Sequence, residues 1–387
     1  MAVSQPLENV SLELICREQG QPFRWLSKGD YTRVRKLQSL AGTTPMPFRS
    51  AEMYCGRVSD AVIFGKSYVT DRVGRAVFLN QSHRNYNHQE FVQYYGKEIL
   101  DETSVRPTIE QECCFFGGLS AEISFFGHFI FEFLYRLVAF EMCGVLDRLP
   151  VVVFDTVPDS WLSFIELFGV PKERILRIPQ YPAPRFKNVW VASCPNFLAI
   201  DARQYAFWDD GIHNLRQRLI MNAAETGPEG PKRVFLGRKG AAHRKLVNES
   251  GVWQFLASRG FEYPNFVGKS AAEQIRAVAS ADVIVAVTGS GSSMTQFAPY
   301  DCSIIDILPP HIVGGLGSMG FAAVIGQTYT RAPTKAAESD QAVGINSDVE
   351  VDLEALKQYV DLAIDQQQHR RAALKGGPDW GRLNKMS

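Results

Sequence analysis

A loop rich in glycines and hydroxyls carries the clearest chemistry in the sequence. Residues 288–295 read Thr-Gly-Ser-Gly-Ser-Ser-Met-Thr and follow an apolar run. Glycines let a backbone turn tightly and approach a ligand, and the amides of a helix that begins here would point donors at the same spot. The pattern therefore predicts an anion site, with a tight strand-to-helix connection as the alternative. Its candidate residues are Thr288, Gly289, Ser290, Gly291, Ser292 and Ser293.

This loop differs from the two best-known phosphate-binding patterns. The dinucleotide fingerprint needs a third glycine at a fixed spacing, and a P-loop needs a Gly-Lys-Ser/Thr ending. Neither feature occurs at residues 288–295. A Rossmann dehydrogenase is disfavoured for this reason.

Charged residues follow two other apolar runs. Arg238 and Arg244 lie in a polar loop after Arg233-Val-Phe-Leu-Gly, and Asp306 lies near the end of a third run. The planar fork of arginine suits phosphate and pyrophosphate, and open α/β sheets place ligands beyond the carboxyl ends of their strands. The alternatives are a solvated surface charge for each arginine and a helix or loop cap for Asp306.

A second set of ionisable residues lies on a strongly apolar segment. His128, Glu132 and Arg136 recur at every fourth position among phenylalanines and leucines, which places them on one face of a helix. Histidine changes charge nearest to neutral pH, so His128 could remove a proton from a hydroxyl while Glu132 orients the ring. The alternative is a buried ladder of hydrogen bonds or ion pairs, because a charge removed from water needs a partner.

Apolar runs and breaker residues predict the elements that position these groups. The order strand, helix, strand recurs along the chain, which favours an α/β fold with parallel sheets. Apolar composition and length predict strands at 150–155, 233–237, 261–266, 281–287 and 302–308.

Two helix starts carry capping signals. Ser270 and Glu273 form a Ser-x-x-Glu capping box. Asn248 and Glu249 open another helix, which we expect them to cap.

Taken together, the two sets of residues resemble glycosyltransferase family 61, over roughly residues 110 to 310. The upstream match runs from His128 to Leu137 and is similar to the family's His-x-x-x-acid-x-Leu-x-Arg-Leu segment. One position departs from the family, which usually has a histidine where this chain has Thr288. The downstream match consists of Arg238 and its loop to Arg244, Asn248-Glu249, Gly260-Phe261, Glu273-Gln274, the strand from Ala281, the glycine loop and the strand that carries Asp306.

The resemblance implies a GT-B fold, in which two Rossmann-like domains face a cleft. Residues 1–110 would form a β-rich N-terminal region of the acceptor domain, and 111–225 the Rossmann-like part of that domain. Residues 226–345 would form the Rossmann-like domain for the nucleotide-sugar donor. Residues 346–387 would form a C-terminal helix, which in GT-B enzymes often returns to the first domain.

The resemblance also implies a reaction of the kind used in polysaccharide biosynthesis. A sugar would pass with inversion from a nucleotide sugar, expected to be UDP-linked, to a hydroxyl of a polysaccharide or lipopolysaccharide-type glycan, with no metal and no other cofactor. His128 is the first choice for the base and Glu122 the second, with Glu132 orienting His128. Arg238, Arg244 and the 288–293 loop would bind the leaving diphosphate, and Asp306 the donor ribose.

Composition excludes several other classes of protein. Lys plus Arg and Asp plus Glu each number 41, so bulk charge gives no reason to expect a nucleic-acid partner. The seven cysteines are scattered without a Cys-x-x-Cys pair, which indicates neither a disulfide framework nor a zinc site. No run of about 18 apolar residues and no signal-peptide pattern occurs. We therefore expect a cytoplasmic protein without a membrane span, with peripheral association at the inner face of the membrane as a further option.

Two other functions remain open at this point. The first is a non-catalytic protein that binds a nucleotide or sugar with the same fold, which the departure at Thr288 allows. The second is a GT-B-like nucleotide-sugar epimerase, which would convert the donor without an acceptor.

Overall fold

The protein is a mixed α/β chain of 387 residues. The computed structural model describes residues 9–29, 32–64, 68–71, 75–78, 106–117, 126–179, 182, 184–193, 206–241, 243–310, 312, 317–337 and 347–375. Glu122, the second choice for a base, lies outside the described residues.

The strands are β1 (Asn9–Ser11), β2 (Phe23–Lys28), β3 (Thr32–Ser39), β4 (Gly42–Ser50), β5 (Glu52–Phe64), β6 (Tyr68–Thr70), β7 (Ala76–Phe78), β8 (Thr108–Ile109), β9 (Cys113–Gly117), β10 (Val151–Phe154), β11 (Ile175–Ile178), β12 (Arg185–Ala192), β13 (Ala206–Phe207), β14 (Arg233–Leu236), β15 (Val283–Val287), β16 (Ser303–Ile307), β17 (Thr328–Arg331), β18 (Thr334–Ala336) and β19 (Val349–Val351).

The α-helices are α1 (Leu12–Glu18), α2 (Phe126–His128), α3 (Tyr135–Met142), α4 (Asp159–Phe168), α5 (Asp209–Ala224), α6 (Glu249–Ser258), α7 (Ala271–Ala279), α8 (Ser318–Ile325) and α9 (Leu353–Lys375). A π-helical turn (Phe129–Phe133) joins α2 to α3, and short 3-10 helices lie at Lys172–Arg174 and Ser290–Phe297.

The chain divides into two compact units. Unit 1 comprises Met1–Arg35, Pro47–Gly227 and Val267–Ile275. Unit 2 comprises Lys36–Met46, Pro228–Phe266 and Arg276–Ser387.

Unit 1 is built on a mixed sheet with a parallel part. The strands β11, β10, β9 and β12 are parallel neighbours in that order, and β12 then pairs antiparallel with β5. Numbered along the chain, the parallel part has the order 3-2-1-4, which also begins the doubly wound Rossmann sheet. Side chains from β5, β9, β10 and β12 form the buried core of this unit.

Unit 2 is built on a parallel sheet in which β14, β15, β16 and β17 are successive neighbours. The predicted strand at 261–266 is reduced to one parallel bridge between Glu262 and Val234 of β14. Pro264, which has no N–H to donate, stops the pairing from extending. Counting that bridge as a strand, the order is 2-1-3-4-5, the flavodoxin-like form of a doubly wound sheet.

The predicted core strands of unit 2 are confirmed. The runs at 233–237, 281–287 and 302–308 form β14, β15 and β16, and every residue of β15 and β16 is buried. The final helix α9 packs in this unit, on β15 and α6, with Leu356, Val360 and Ala363 in the same hydrophobic core. Among the described residues, no helix combines the length and apolar character that a membrane crossing requires.

Candidate functional site

Two loops of unit 2 start side by side at the carboxyl ends of β14 and β15. Leu236 lies opposite Ala286 in the parallel register, so the residues after each strand leave the sheet at the same level. The connection after β14 leads to the bridge at Glu262, and β15 lies on the opposite side of β14. Such a reversal of strand order opens a crevice at the strand ends, where doubly wound sheets bind ligands.

Arg238 reaches from the first loop to the glycine of the second. A Cβ built on Gly289 would lie 1.8 Å from Nη1 of Arg238, so the guanidinium occupies space that any other side chain would fill. Nη2 of Arg238 donates to the carbonyl oxygen of His243 at 2.6 Å. The structure thus brings together Arg238 and the glycine loop, two of the groups that the sequence predicts for one site.

Arg244 lies at the far end of the same loop in a strained conformation. Its φ is 55°, in the left-handed region that non-glycine residues rarely adopt. Burial first, and then the nearby charge of Arg238, lower the pKa of Arg244 to about 10, which leaves it charged at neutral pH. Burial also lowers the pKa of Arg238.

The two arginines leave buried donors unused among the described residues. Nε of Arg238 and Nε of Arg244 are both buried and have no hydrogen-bond partner among the described residues. The charges of Glu249 and Asp348 act to raise the pKa of Arg238 against the effect of burial, whereas the charge that acts on Arg244 is that of Arg238. Two like charges with unused donors, one of them against the backbone of Gly289, form a site that suits an anion.

The glycine loop continues into a 3-10 helix instead of an α-helix. Three hydroxyls donate to the carbonyl oxygen three residues earlier: Ser292 to Gly289, Ser293 to Ser290 and Thr295 to Ser292, at 2.7 to 2.8 Å. These bonds favour the tighter i to i+3 geometry. In this conformation the hydroxyl protons of Ser292 and Ser293 are engaged in the helix, and their predicted donation to an anion stays a prediction.

Thr288 also directs its hydroxyl into the protein. Its Oγ1 donates to Oδ1 of Asp306 at 2.8 Å, and the Tyr329 hydroxyl donates to Oδ2 at 2.6 Å. Asp306 is only 1% exposed, and burial raises its pKa while these two hydrogen bonds act to lower it. In this conformation, Asp306 fixes the residue before Gly289, and the predicted contact with a ribose stays a prediction.

The predicted base lies in unit 1. Nδ1 of His128 is 2.6 Å from Oε1 of Glu132, and the histidine side chain is 26% exposed while the glutamate is 6% exposed. The helix that carries both residues was predicted, but its π-helical turn was not. That turn is closed by the Leu134 N–H, which donates to the carbonyl oxygen of Phe129 at 3.1 Å. Such turns occur frequently at functional sites.

Arg136 has a structural role at the same helix. Its Nη1 donates to the carbonyl oxygen of Phe116 at 2.8 Å, and its guanidinium carbon is 5.0 Å from the centre of the Phe133 ring. A Cβ on Gly117 would lie 2.5 Å from Nη1, so this glycine leaves room for the guanidinium. The side chain is 1% exposed, which fits the predicted buried ladder for this residue.

One capping prediction is confirmed and the other is wrong. Ser270 and Glu273 exchange the hydrogen bonds of a capping box at the start of α7. Asn248 makes no cap and instead exchanges hydrogen bonds with the backbone of Val351. Glu249 accepts hydrogen bonds from the Arg238 N–H and the Tyr263 hydroxyl.

Glu249 and Tyr263 are therefore site residues that the sequence reasoning missed. A side chain on Gly237 would place its Cβ 2.2 Å from the Tyr263 hydroxyl and 2.3 Å from Oε1 of Glu249. The available signal was a glycine at the end of a strand where no turn requires one.

Comparison with known proteins gives the chain a family. The sequence model of the family described as Glycosyltransferase 61 matches residues 126–305, a span that runs from α2 to β16. A search of curated proteins found no match. The crystal structure of the bacterial iron-containing dodecameric glycosyltransferase TibC from enterotoxigenic E. coli H10407 aligns with 96% of this chain and 100% of its own, at 11% sequence identity and a TM-score of 0.32. That likeness is loose, so the family match carries the assignment. The matched region includes both the helix of His128 and the crevice of Arg238 and Gly289, and the match supports a member of glycosyltransferase family 61 and hence a glycosyltransferase.

Proposed function

We propose that the crevice of unit 2 binds the diphosphate of a nucleotide-sugar donor, and that the chain transfers the sugar with inversion to a hydroxyl of a glycan. The observation that carries the proposal is the pair of partly buried arginines, Arg238 and Arg244, whose Nε atoms have no partner among the described residues. We further propose that the two units are the two Rossmann-like domains of a GT-B enzyme.

The chemistry of the leaving group explains why such a pair would be needed. As the bond between the sugar and the phosphate breaks, negative charge gathers on the diphosphate. Two guanidinium groups offer planar forks that match phosphate oxygens, and the lack of a side chain at Gly289 leaves room for the guanidinium of Arg238. In a crevice of lower dielectric than water, these contacts gain strength. The arginines would thus replace a metal ion in neutralising the leaving group.

The other half of the reaction is removal of a proton from the acceptor hydroxyl. When the neutral His128 ring carries its proton on Nδ1, that proton is donated to Glu132 and Nε2 holds the lone pair. In the proposed step, the acceptor oxygen bonds to the anomeric carbon, the bond to the diphosphate breaks, and the hydroxyl proton passes to Nε2. Glu132 then stabilises the imidazolium. A single displacement of this kind inverts the configuration of the anomeric carbon.

The acceptor class and place of action are proposed from the family resemblance. We infer a polysaccharide or lipopolysaccharide-type acceptor, and a cytoplasmic enzyme that associates peripherally with a membrane assembly. The donor is proposed to be UDP-linked.

A thermal-shift screen against UDP, GDP, CMP and dTDP tests the donor site, because a ligand that binds only the folded state raises the melting temperature. We expect one nucleoside phosphate to stabilise the protein, equally in magnesium and in EDTA. Stabilisation that requires magnesium would contradict the metal-independent mechanism. No stabilisation by any nucleotide would contradict the donor site itself.

A non-catalytic binding protein is the second candidate, and Thr288 is the observation that favours it. In place of the family histidine, this residue offers a hydroxyl that is already bonded to Asp306. A protein of this kind would bind the donor in the same screen, yet neither transfer nor hydrolyse the sugar when a glycan acceptor is supplied.

A further inference from the structure

The turn after β14 is held by an acid and a phenol that lie outside the proposed diphosphate contacts. Oε1 of Glu249 accepts the Arg238 N–H at 3.1 Å, and the Tyr263 hydroxyl accepts the Lys239 N–H at 3.0 Å. The same hydroxyl donates to Oε1 of Glu249 at 2.5 Å. Two consecutive backbone amides are therefore fixed by one hydrogen-bonded pair.

Packing fixes the pair itself. Glu249 is the first residue of α6, and the Tyr263 ring packs edge to face against Phe235 and Trp253, with ring centres 4.8 and 5.5 Å away. Burial and the hydrogen bond to Glu249 raise the pKa of Tyr263, so the phenol keeps the proton that it donates. Gly237 leaves the space in which the acid and the phenol meet.

The other end of Arg238 is fixed as well. Its guanidinium lies against Gly289 and donates to the His243 carbonyl oxygen. An arginine side chain that is free to rotate loses rotamer entropy when a ligand orders it. The backbone and the guanidinium of Arg238 are both held before any ligand binds. Its side chain therefore loses this entropy during folding, and ligand binding does not have to order it again.

We propose that Glu249 and Tyr263 are positioning residues: they hold Arg238 against the glycine loop, and affinity for a nucleoside diphosphate depends on them although neither touches it. The inference rests on the proposed function of the same crevice. It adds two residues whose role is exerted through the backbone.

The sign of the effect separates positioning from simple electrostatics. Glu249 is an acid near the Arg238 cation, so replacing it by glutamine makes the crevice more positive and would strengthen anion binding if charge alone mattered. Positioning predicts the reverse, because glutamine is a weaker acceptor for the Arg238 N–H and no longer holds the phenol as a charged partner.

The test is calorimetric titration of the full chain with UDP and with inorganic pyrophosphate. We expect Glu249→Gln and Tyr263→Phe each to weaken binding by about 10-fold, the range of one hydrogen bond to a charged group. Glu354→Gln, the same change in the first turn of α9, should leave binding unaltered. In an Arg238→Ala background, Tyr263→Phe should cause no additional loss, since both changes act through one side chain.

Two results would overturn the inference while leaving the diphosphate site intact: unchanged or tighter binding by Glu249→Gln, or losses that add fully to that of Arg238→Ala. If Glu249→Gln fails to fold, Tyr263→Phe, which keeps the ring and its packing, decides the question. Failure of the unchanged chain to bind either ligand would instead overturn the proposed function and this inference together.

Discussion

The two clusters of charged residues on this chain differ in how much of their bonding the fold itself supplies. In unit 1, His128 bonds to Glu132, and Arg136 donates to a backbone carbonyl and lies over an aromatic ring. In unit 2, the guanidinium of Arg238 donates to one carbonyl, and Arg244 keeps a buried Nε with no partner among the described residues.

This difference in bonding indicates that the two clusters have different roles. A buried charge is costly without a partner. A group whose partner is supplied by the fold needs no ligand, whereas a cation with unused donors is stabilised by a ligand that binds it. We infer that the unit 1 cluster moves a proton between groups already in place, and that the unit 2 cluster binds negative charge from outside.

The largest effect is expected from the base. His128→Ala should lower kcat by about 100-fold to 10,000-fold, the usual contribution of a general base, and should leave the Kd of the nucleotide unaltered. Steady-state transfer assays and titration calorimetry measure the two quantities separately. His369→Ala, at an exposed histidine of α9, is the control. A His128→Ala variant that binds donor poorly but turns over normally would reverse the assignment of roles.

Arg238→Ala is expected to weaken nucleotide binding, the property that His128→Ala should leave unaltered. Loss of two charge-assisted hydrogen bonds should raise the Kd for a nucleoside diphosphate by about 100-fold. Arg259→Ala serves as the matched control, because Arg259 lies in the same unit and is paired with Asp361 at 2.7 Å. Equal affinities of the two variants would remove Arg238 from the site.

A pair of glycines in one loop offers a smaller and more specific change. In Gly289→Ala, the new methyl group would meet the Arg238 guanidinium, whereas a Cβ on Gly291 would meet no atom within 4 Å. We expect the first variant to weaken nucleotide binding by about 10-fold, comparable to the loss of one hydrogen bond to a charged group. Gly291→Ala should bind as the unchanged chain does. Similar behaviour of both variants would show that the contact with Arg238 has no effect on binding.

The smallest effect concerns stability and pH. Thr288→Val removes a hydrogen bond to buried Asp306 and should lower the free energy of unfolding by about 1 kcal/mol at neutral pH. Because burial raises the pKa of Asp306, the folded chain holds this proton more tightly than the unfolded chain, and ionisation lowers stability as the pH rises. Without the Thr288 hydroxyl the pKa of Asp306 rises further. The loss of stability in Thr288→Val should therefore shrink at mildly acidic pH.

Urea unfolding at neutral and at mildly acidic pH measures this deficit. Thr43→Val, at an exposed hydroxyl of β4, should change stability by less than about 0.5 kcal/mol at either pH. A deficit for Thr288→Val that grows on acidification would mean that Asp306 is not the group concerned.

The core of unit 2 could be predicted from sequence because its strands are short continuous apolar runs. β15 and β16 are buried along their whole length, so hydrophobicity alone locates them. The convergence of Arg238 and Gly289 was expected in outline, since parallel strands end at one edge of the sheet. Their direct contact was not, because it depends on the register of β14 with β15.

Other parts of the site could not be predicted because their residue patterns are compatible with more than one role. An acid in the first turn of a helix ordinarily indicates a cap, and nothing local distinguishes Glu249 from such a residue until Tyr263 and the Arg238 N–H are placed beside it. Likewise, serines at the start of a helix are as compatible with donors to a ligand as with bonds to the preceding turn.

The π-helical turn at Phe129–Phe133 has a consequence for how the chain tolerates changes in length. A π-turn holds one residue more than the α-helical turn that it replaces, so deleting a single residue within it would restore a uniform α-helix. Each residue of an α-helix advances by about 100° around the axis, and the deletion would turn His128 by that angle relative to the buried face of α3. The direction of this histidine is therefore set by the number of residues in the turn, and a one-residue deletion that preserves every side chain named above would still misdirect it.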